Sequence, residues 1–288
     1  MSFSAPVLNE ARATLLGLGA VLLWSLLALL TAATAGIPPF QVTAITFAIG
    51  GLASLGFVAA RGRITDLAQP PIAWALGLFG LFLYHAVYFF ALKRAPPAEA
   101  SLIAYLWPLL IVLMSAALPG NRLTARHLLG AALGLAGVVV LTFGKGALAF
   151  SLDHALGYAL AFLCAFIWSS YSVLSRRMAG VPTEAVAGFC LATAVLAGLC
   201  HLAFETSVQP DRTGWLALIG LGLGPVGIAF FLWDIGMKRG DIRFLGVASY
   251  ATPLLSTLIL VLAGKAAPSL SLALACALIV AGAVIARR

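Results

Sequence analysis

The chain alternates long apolar runs with brief polar punctuation. Ten runs of roughly 17 to 24 residues stand out, about the length a helix needs to cross hydrocarbon. They cover positions 14–35, 41–60, 72–92, 100–118 and 128–143, then 155–175, 185–204, 214–237, 242–263 and 270–286. Charge, proline or glycine closes each one. The connections are short, which leaves no room for a soluble domain. The pattern predicts an all-α integral membrane fold of ten transmembrane helices.

The pattern is also written twice. Lys93-Arg94, Tyr105 and Pro108-Leu109-Leu110 recur as Lys238-Arg239, Tyr250 and Pro253-Leu254-Leu255, each offset by 145. Trp24-Ser25 and Gly36-Ile37-Pro38 recur as Trp168-Ser169 and Gly180-Val181-Pro182, offset by 144. Ala136-Gly137-Val138 recurs as Ala281-Gly282-Ala283, again offset by 145. This register predicts tandem duplication of a unit of about 140 residues. Residues 1–146 form the first five-helix repeat and 147–288 the second. Five is odd, so the second copy enters the membrane from the opposite face. The repeats are therefore inverted about a pseudo-twofold axis in the membrane plane.

Composition agrees: 62% of residues are apolar and 9% charged, against about 25% charged in soluble proteins. The net charge of +8 reports topology and needs no nucleic-acid partner. With a cytoplasmic N-terminus, 12 Lys and Arg face the cytoplasm and 5 the other side. That bias predicts a multi-pass protein of the cell (inner) membrane with both termini cytoplasmic. Lys93-Arg94 on the outer side oppose the rule and are inherited or functional. Residues 1–13 carry Glu10 and Arg12 and no signal-peptide pattern, so the first apolar segment is expected to be retained. Cys164, Cys190, Cys200 and Cys276 sit in apolar runs without metal spacing and read as packing residues. No cofactor or metal site is expected.

Two five-helix repeats, Trp-Ser in segments 1 and 6, the run from Glu99-Ala100-Ser101-Leu102 to Pro108, Leu123-Thr124, and Gly130 to Gly137 together resemble the drug/metabolite transporter superfamily, EamA type. The resemblance covers nearly the whole chain. Within the family, Tyr84-His85, Tyr88, Tyr105 and Trp107 are similar to the aromatic set of the amino-acid exporters. The resemblance implies export of aromatic or other neutral or zwitterionic amino acids, or related metabolites, by alternating access. One departure is visible. The family often carries a Gly-Glu pair before the fifth helix of each repeat; here the stretches read Gly120-Asn121 and Gly264-Lys265. A role for that acid does not carry over.

Transporters built from repeats bind substrate near the midplane, often at interrupted helices. Pro108 and Pro253 fall inside segments 4 and 9 and free the carbonyls of Ala104 and Ser249. These either accept from a substrate ammonium or water, or mark simple packing kinks. Trp74, Trp215 and Trp233 lie near segment ends and read as interface anchors. Trp24, Trp107 and Trp168 lie deep, where an indole N–H needs a partner. Tyr84 and Tyr88 share a helix face, with His85 beside them. Ser169, Tyr171, Ser172 and Ser175 add hydroxyls from segment 6. These groups predict either an aromatic, hydroxylated cavity or aromatic and serine packing between helices. His85 either hydrogen-bonds substrate or is a satisfied packing histidine. The candidate substrate-binding set is Trp24, Tyr84, His85, Tyr88, Ala104, Tyr105, Trp107, Pro108, Trp168, Ser249, Tyr250 and Pro253.

Asp234 is the sole carboxylate well inside a segment; four residues before Lys238, it suits an interfacial ion pair. A proton-driven antiporter of cationic drugs, the alternative within this fold, needs a deep carboxylate that alternates between proton and drug. An intramembrane enzyme needs a nucleophile with a base, or a metal cluster such as HExxH, which the sequence lacks. The expected unit is a monomeric carrier in the lipid bilayer with a small-molecule substrate.

Overall fold

The structure is a computed structural model, which describes residues 9–120, 122–144, 148 and 150–287. The Gly120-Asn121 departure at Asn121, the Lys145 connector, the expected boundary at Gly146, and Arg288 lie outside the described residues. Ten described helices are long and apolar enough to cross a membrane. They are α1 (Glu10–Ala32), α2 (Pro39–Ala60), α3 (Pro71–Leu92), α4 (Pro97–Ser115), α5 (Ala125–Phe143), α6 (Leu152–Arg177), α7 (Ala185–Phe204), α8 (Arg212–Arg239), α9 (Ile242–Leu262) and α10 (Leu270–Arg287). All lie within four residues of their expected bounds. The differences are physical, because a helix also takes up its polar first turn. α2, α3 and α4 each open on a proline, whose missing N–H is no loss there. Gly120 and Gly264, 144 apart, turn the chain into α5 and α10 with φ of 77° and 68°, a left-handed conformation that glycine tolerates.

Five helices are irregular, four of them in matched pairs. α4 breaks at Tyr105-Leu106 and α9 at Ser249-Tyr250. In both, a proline stands in the first turn after the break, two residues past Leu106 and three past Tyr250, and its ring excludes the carbonyl four residues back. α3 and α8 each contain a π-helical turn, at Phe79–Leu83 and Gly222–Ile228. α1 breaks at Ser25-Leu26.

Packing follows the same exchange. α5 lies against α10 and α2 against α7. α1 runs along the second half of α8, and α6 along the second half of α3. Swapping the halves of the chain maps each pairing onto itself or its counterpart, as a duplicated unit predicts. At the α5–α10 seam a Cβ on Gly130 would stand 2.7 Å from the Gly282 carbonyl oxygen, and one on Gly137 would stand 3.1 Å from that of Ala275. The offset of 145 exchanges these two contacts. Such backbone approach is how small residues join helices in lipid.

Ten crossings leave Glu10 and Arg287 at one end, the terminal end. Connections there are tied by polar contacts. Asp241 N–H donates to Thr14 Oγ1 (2.9 Å), Arg177 to the Ala117 carbonyl (2.7 Å) and Arg243 to the Arg122 carbonyl (3.0 Å). Arg63 pairs with Glu184 and Asp66. At the far end the Glu205 carboxylate accepts from the first amides of α2, Phe40 (3.0 Å) and Gln41 (3.1 Å). It also bonds His201 Nδ1 (2.9 Å).

Candidate substrate-binding site

A cavity of about 540 Å³ lies between the two sets of helices. Its walls come from the far halves of α1, α2, α3, α4 and α9 and the middle of α8. Ala28 and Thr31 are exposed, so it opens at the far end. Its floor is aromatic. Trp24 meets Trp168 edge to face (centroids 5.6 Å apart) and Trp233 at 5.0 Å; Trp107 meets Trp168 at 6.4 Å and Trp233 at 5.9 Å. Phe230 packs on Trp24 and Trp168. This cluster seals the cavity from the terminal end.

Eight of the twelve candidates line the cavity: Trp24, Tyr84, His85, Tyr88, Ala104, Tyr105, Trp107 and Trp168. Tyr84 and Tyr88 stack in parallel at 6.0 Å, as their shared helix face requires. Tyr88 Oη and Ser101 Oγ share a hydrogen bond of 2.9 Å. Trp24 Nε1 donates to the carbonyl of Pro225, inside the π turn of α8 (3.0 Å). His85 Nδ1 lies 2.6 Å from the Leu81 carbonyl, inside the π turn of α3. A carbonyl only accepts, so Nδ1 carries the proton, and in the neutral ring Nε2 keeps its lone pair. The histidine is thus both packed, against Phe47 at 5.1 Å, and available.

Pro108, Ser249, Tyr250 and Pro253 fall outside the lining. Ser249 is fully buried; its carbonyl accepts from Thr252 N–H (3.0 Å) and its hydroxyl donates to the Leu245 carbonyl (2.7 Å). The proline does break α9, but the local turn recaptures the carbonyl expected to be free. Tyr250 is buried against Gly134 of α5. Pro108 is buried in the second half of α4, and both prolines act through the breaks they impose. The α6 hydroxyls also turn away. Ser169 donates to the Ala165 (2.5 Å) and Trp107 (3.0 Å) carbonyls, Ser172 accepts from Trp233 Nε1 (3.1 Å), and Ser175 donates to the Tyr171 carbonyl (2.8 Å).

Of the expected anchors, Trp215 is 39% exposed. Trp74, half-buried, packs on Phe189, while Trp233, 1% exposed, belongs to the aromatic floor. Sequence reasoning missed Trp233 and Phe230. The repeat register held the signal: they stand 145 after Tyr88 and His85. Asp234 and Lys238 do pair (2.8 Å), but buried inside the protein. All four cysteines are free thiols. Among the described residues no Asp, Glu, Lys or Arg lines the cavity. The site can stack on a flat apolar group and hydrogen-bond a neutral or zwitterionic one, with no fixed charge to hold an ion.

The EamA-like transporter family matches residues 11–143 and again 155–288. The chain is similar to the aromatic amino acid exporter YddG of Ancylobacter novellus, at 59% identity over 97% of this chain and 98% of that one. It is similar to the YddG exporter of Escherichia coli at 27% identity, over 87% and 88% of the two chains. A solved crystal structure, 60% identical, superposes with a TM-score of 0.94 over 96% of this chain and 97% of its own. A match that takes in both halves, with such relatives over nearly full length, establishes that this chain belongs to the EamA-like transporter family.

Proposed function

We propose that the chain exports aromatic amino acids, or other neutral or zwitterionic amino acids and related metabolites, by alternating access across the inner membrane. One observation carries this reading: a one-sided cavity floored by tryptophan, walled by Tyr84, His85, Tyr88 and Tyr105, and free of lining charge among the described residues. The relative's name as an aromatic amino acid exporter supports it. Aromatic faces stack on a flat side chain or hold an ammonium, worth about 0.5–2 kcal/mol per contact. His85 Nε2 and the tyrosine hydroxyls complete the polar contacts. Ala104 flanks the break in α4.

In this reading residues 1–146 and 147–288 are inverted repeats, both termini are cytoplasmic, and the cavity faces outward. The fused halves supply both walls, so a monomer suffices. The chain catalyses no covalent step. Proteoliposomes test the proposal. Trans-loaded phenylalanine, tyrosine or tryptophan should drive saturable exchange of the labelled amino acid. Flux equal to that of protein-free vesicles across the amino-acid panel would overturn it.

A further inference from the structure

At the terminal end lies a small void of about 10 Å³. Leu76, Tyr171, Ser175 and Asp234 line that void. Shifted by the repeat offset of 144 or 145, these positions become Leu221, Leu27, Thr31 and Phe89, and all four line the open cavity. Part of the void's wall is thus the repeat-related counterpart of the open cavity's wall, carried by these four of its ten lining positions. One molecule displays both forms of the same wall.

The two forms differ in chemistry at the α3 and α8 positions. The open copy carries Phe89 and the exposed Lys93. The closed copy carries Asp234 and Lys238, with side chains 4% and 6% exposed. Asp234 Oδ2 takes Lys238 Nζ (2.8 Å) and Thr183 Oγ1 (2.6 Å), while Lys238 Nζ also donates to the Val181 carbonyl (2.8 Å). Val181 and Thr183 belong to the α6–α7 connection, which must part from α8 if the void is to widen. The charges themselves sit four residues apart on one helix and stay paired when that helix moves. Opening thus breaks two charge-assisted hydrogen bonds without separating the ions.

We propose that Asp234, Lys238 and Thr183 form a latch that holds the terminal end shut, present in one repeat and absent from the other, so that the resting protein favours the far-end-open state. This rests on the alternating-access reading above. The latch makes the two gates unequal, although the fold that carries them is duplicated. A charge-assisted hydrogen bond is worth about a tenfold bias in such an equilibrium.

Thiol accessibility without any substrate tests this, so a wrong substrate assignment leaves the result untouched. Cys164, Cys190, Cys200 and Cys276 are replaced by alanine, and single reporters Ser175→Cys and Thr31→Cys are introduced. Thr183→Val, and separately the charge-free double variant Asp234→Asn with Lys238→Met, should raise the rate at which a water-soluble methanethiosulfonate labels Ser175→Cys by about tenfold. Thr183→Ser, which keeps the donor, should label at the parental rate. Thr31→Cys should label no faster in any variant. An unchanged Ser175→Cys rate overturns the latch. So does a rise at both reporters, which would report general loosening.

Discussion

Trp24 and Trp168 stand 144 positions apart in the chain and meet edge to face with ring centroids 5.6 Å apart. They are the same position in the two copies of the repeat. Two symmetry-related groups touch only where they lie close to the axis that relates them. The pair therefore puts the pseudo-axis through the aromatic floor, the level at which an alternating carrier holds its substrate.

From this geometry Trp107→Ala should lower flux per folded molecule about tenfold, since it removes one indole face from the floor. Exchange in proteoliposomes, normalised to the monodisperse fraction, measures it. Trp215→Ala, at the exposed end of α8, should leave the relative rates for phenylalanine and alanine unchanged. If Trp107→Ala instead lowers only the melting temperature, the floor is packing and the substrate lies elsewhere.

The π turn of α3 makes a second prediction. A Cβ on Gly80 would stand 2.2 Å from Cγ of Tyr171, whose ring fills the space beside it. Overpacking of this kind costs about 1–3 kcal/mol. Gly80→Ala should melt several degrees lower in detergent. Gly56→Ala, with nothing within 4 Å, should melt at or above the parental temperature, because alanine favours a helix.

At the far end, Glu205→Gln should lower stability by about 1–3 kcal/mol. Glutamine retains one acceptor oxygen for the two α2 amides and loses the charge that favours a helix N-terminus. Thermal unfolding followed by tryptophan fluorescence reads the shift. An unaltered midpoint would show that the α2 amides find other partners at no cost.

Energy coupling yields a fourth. Among the described residues no carboxylate lines the cavity, so none of them is placed there to carry a proton against substrate. An imposed pH gradient, with substrate equal on both sides, should produce no accumulation. Uphill accumulation that disappears in His85→Ala would assign that task to the histidine.

Much of the architecture was legible because lipid imposes a strict rule. Apolar runs had to become helices, and Pro108 and Pro253 had to interrupt theirs. The site was half legible, for one physical reason. Symmetry of sequence suggested that Tyr105 and Tyr250 see the same surroundings, as should Ala104 and Ser249. The molecule is open at one end and closed at the other, so equivalent positions do not. Tyr105 reaches the cavity while Tyr250 is packed on Gly134. Trp233, read as an anchor from its distance to a segment end, is instead part of the floor, because α8 continues to Arg239 and is buried there.

The α5–α10 seam has a mechanical meaning. Where backbone touches backbone, as at Gly130 and Gly282, no side chain is left to slide or re-rotamerise. Two helices so joined are expected to turn as one rod. On the alternating-access reading proposed above, the two repeats would pivot about this rod, and the glycines of the seam would serve as a fulcrum away from the cavity.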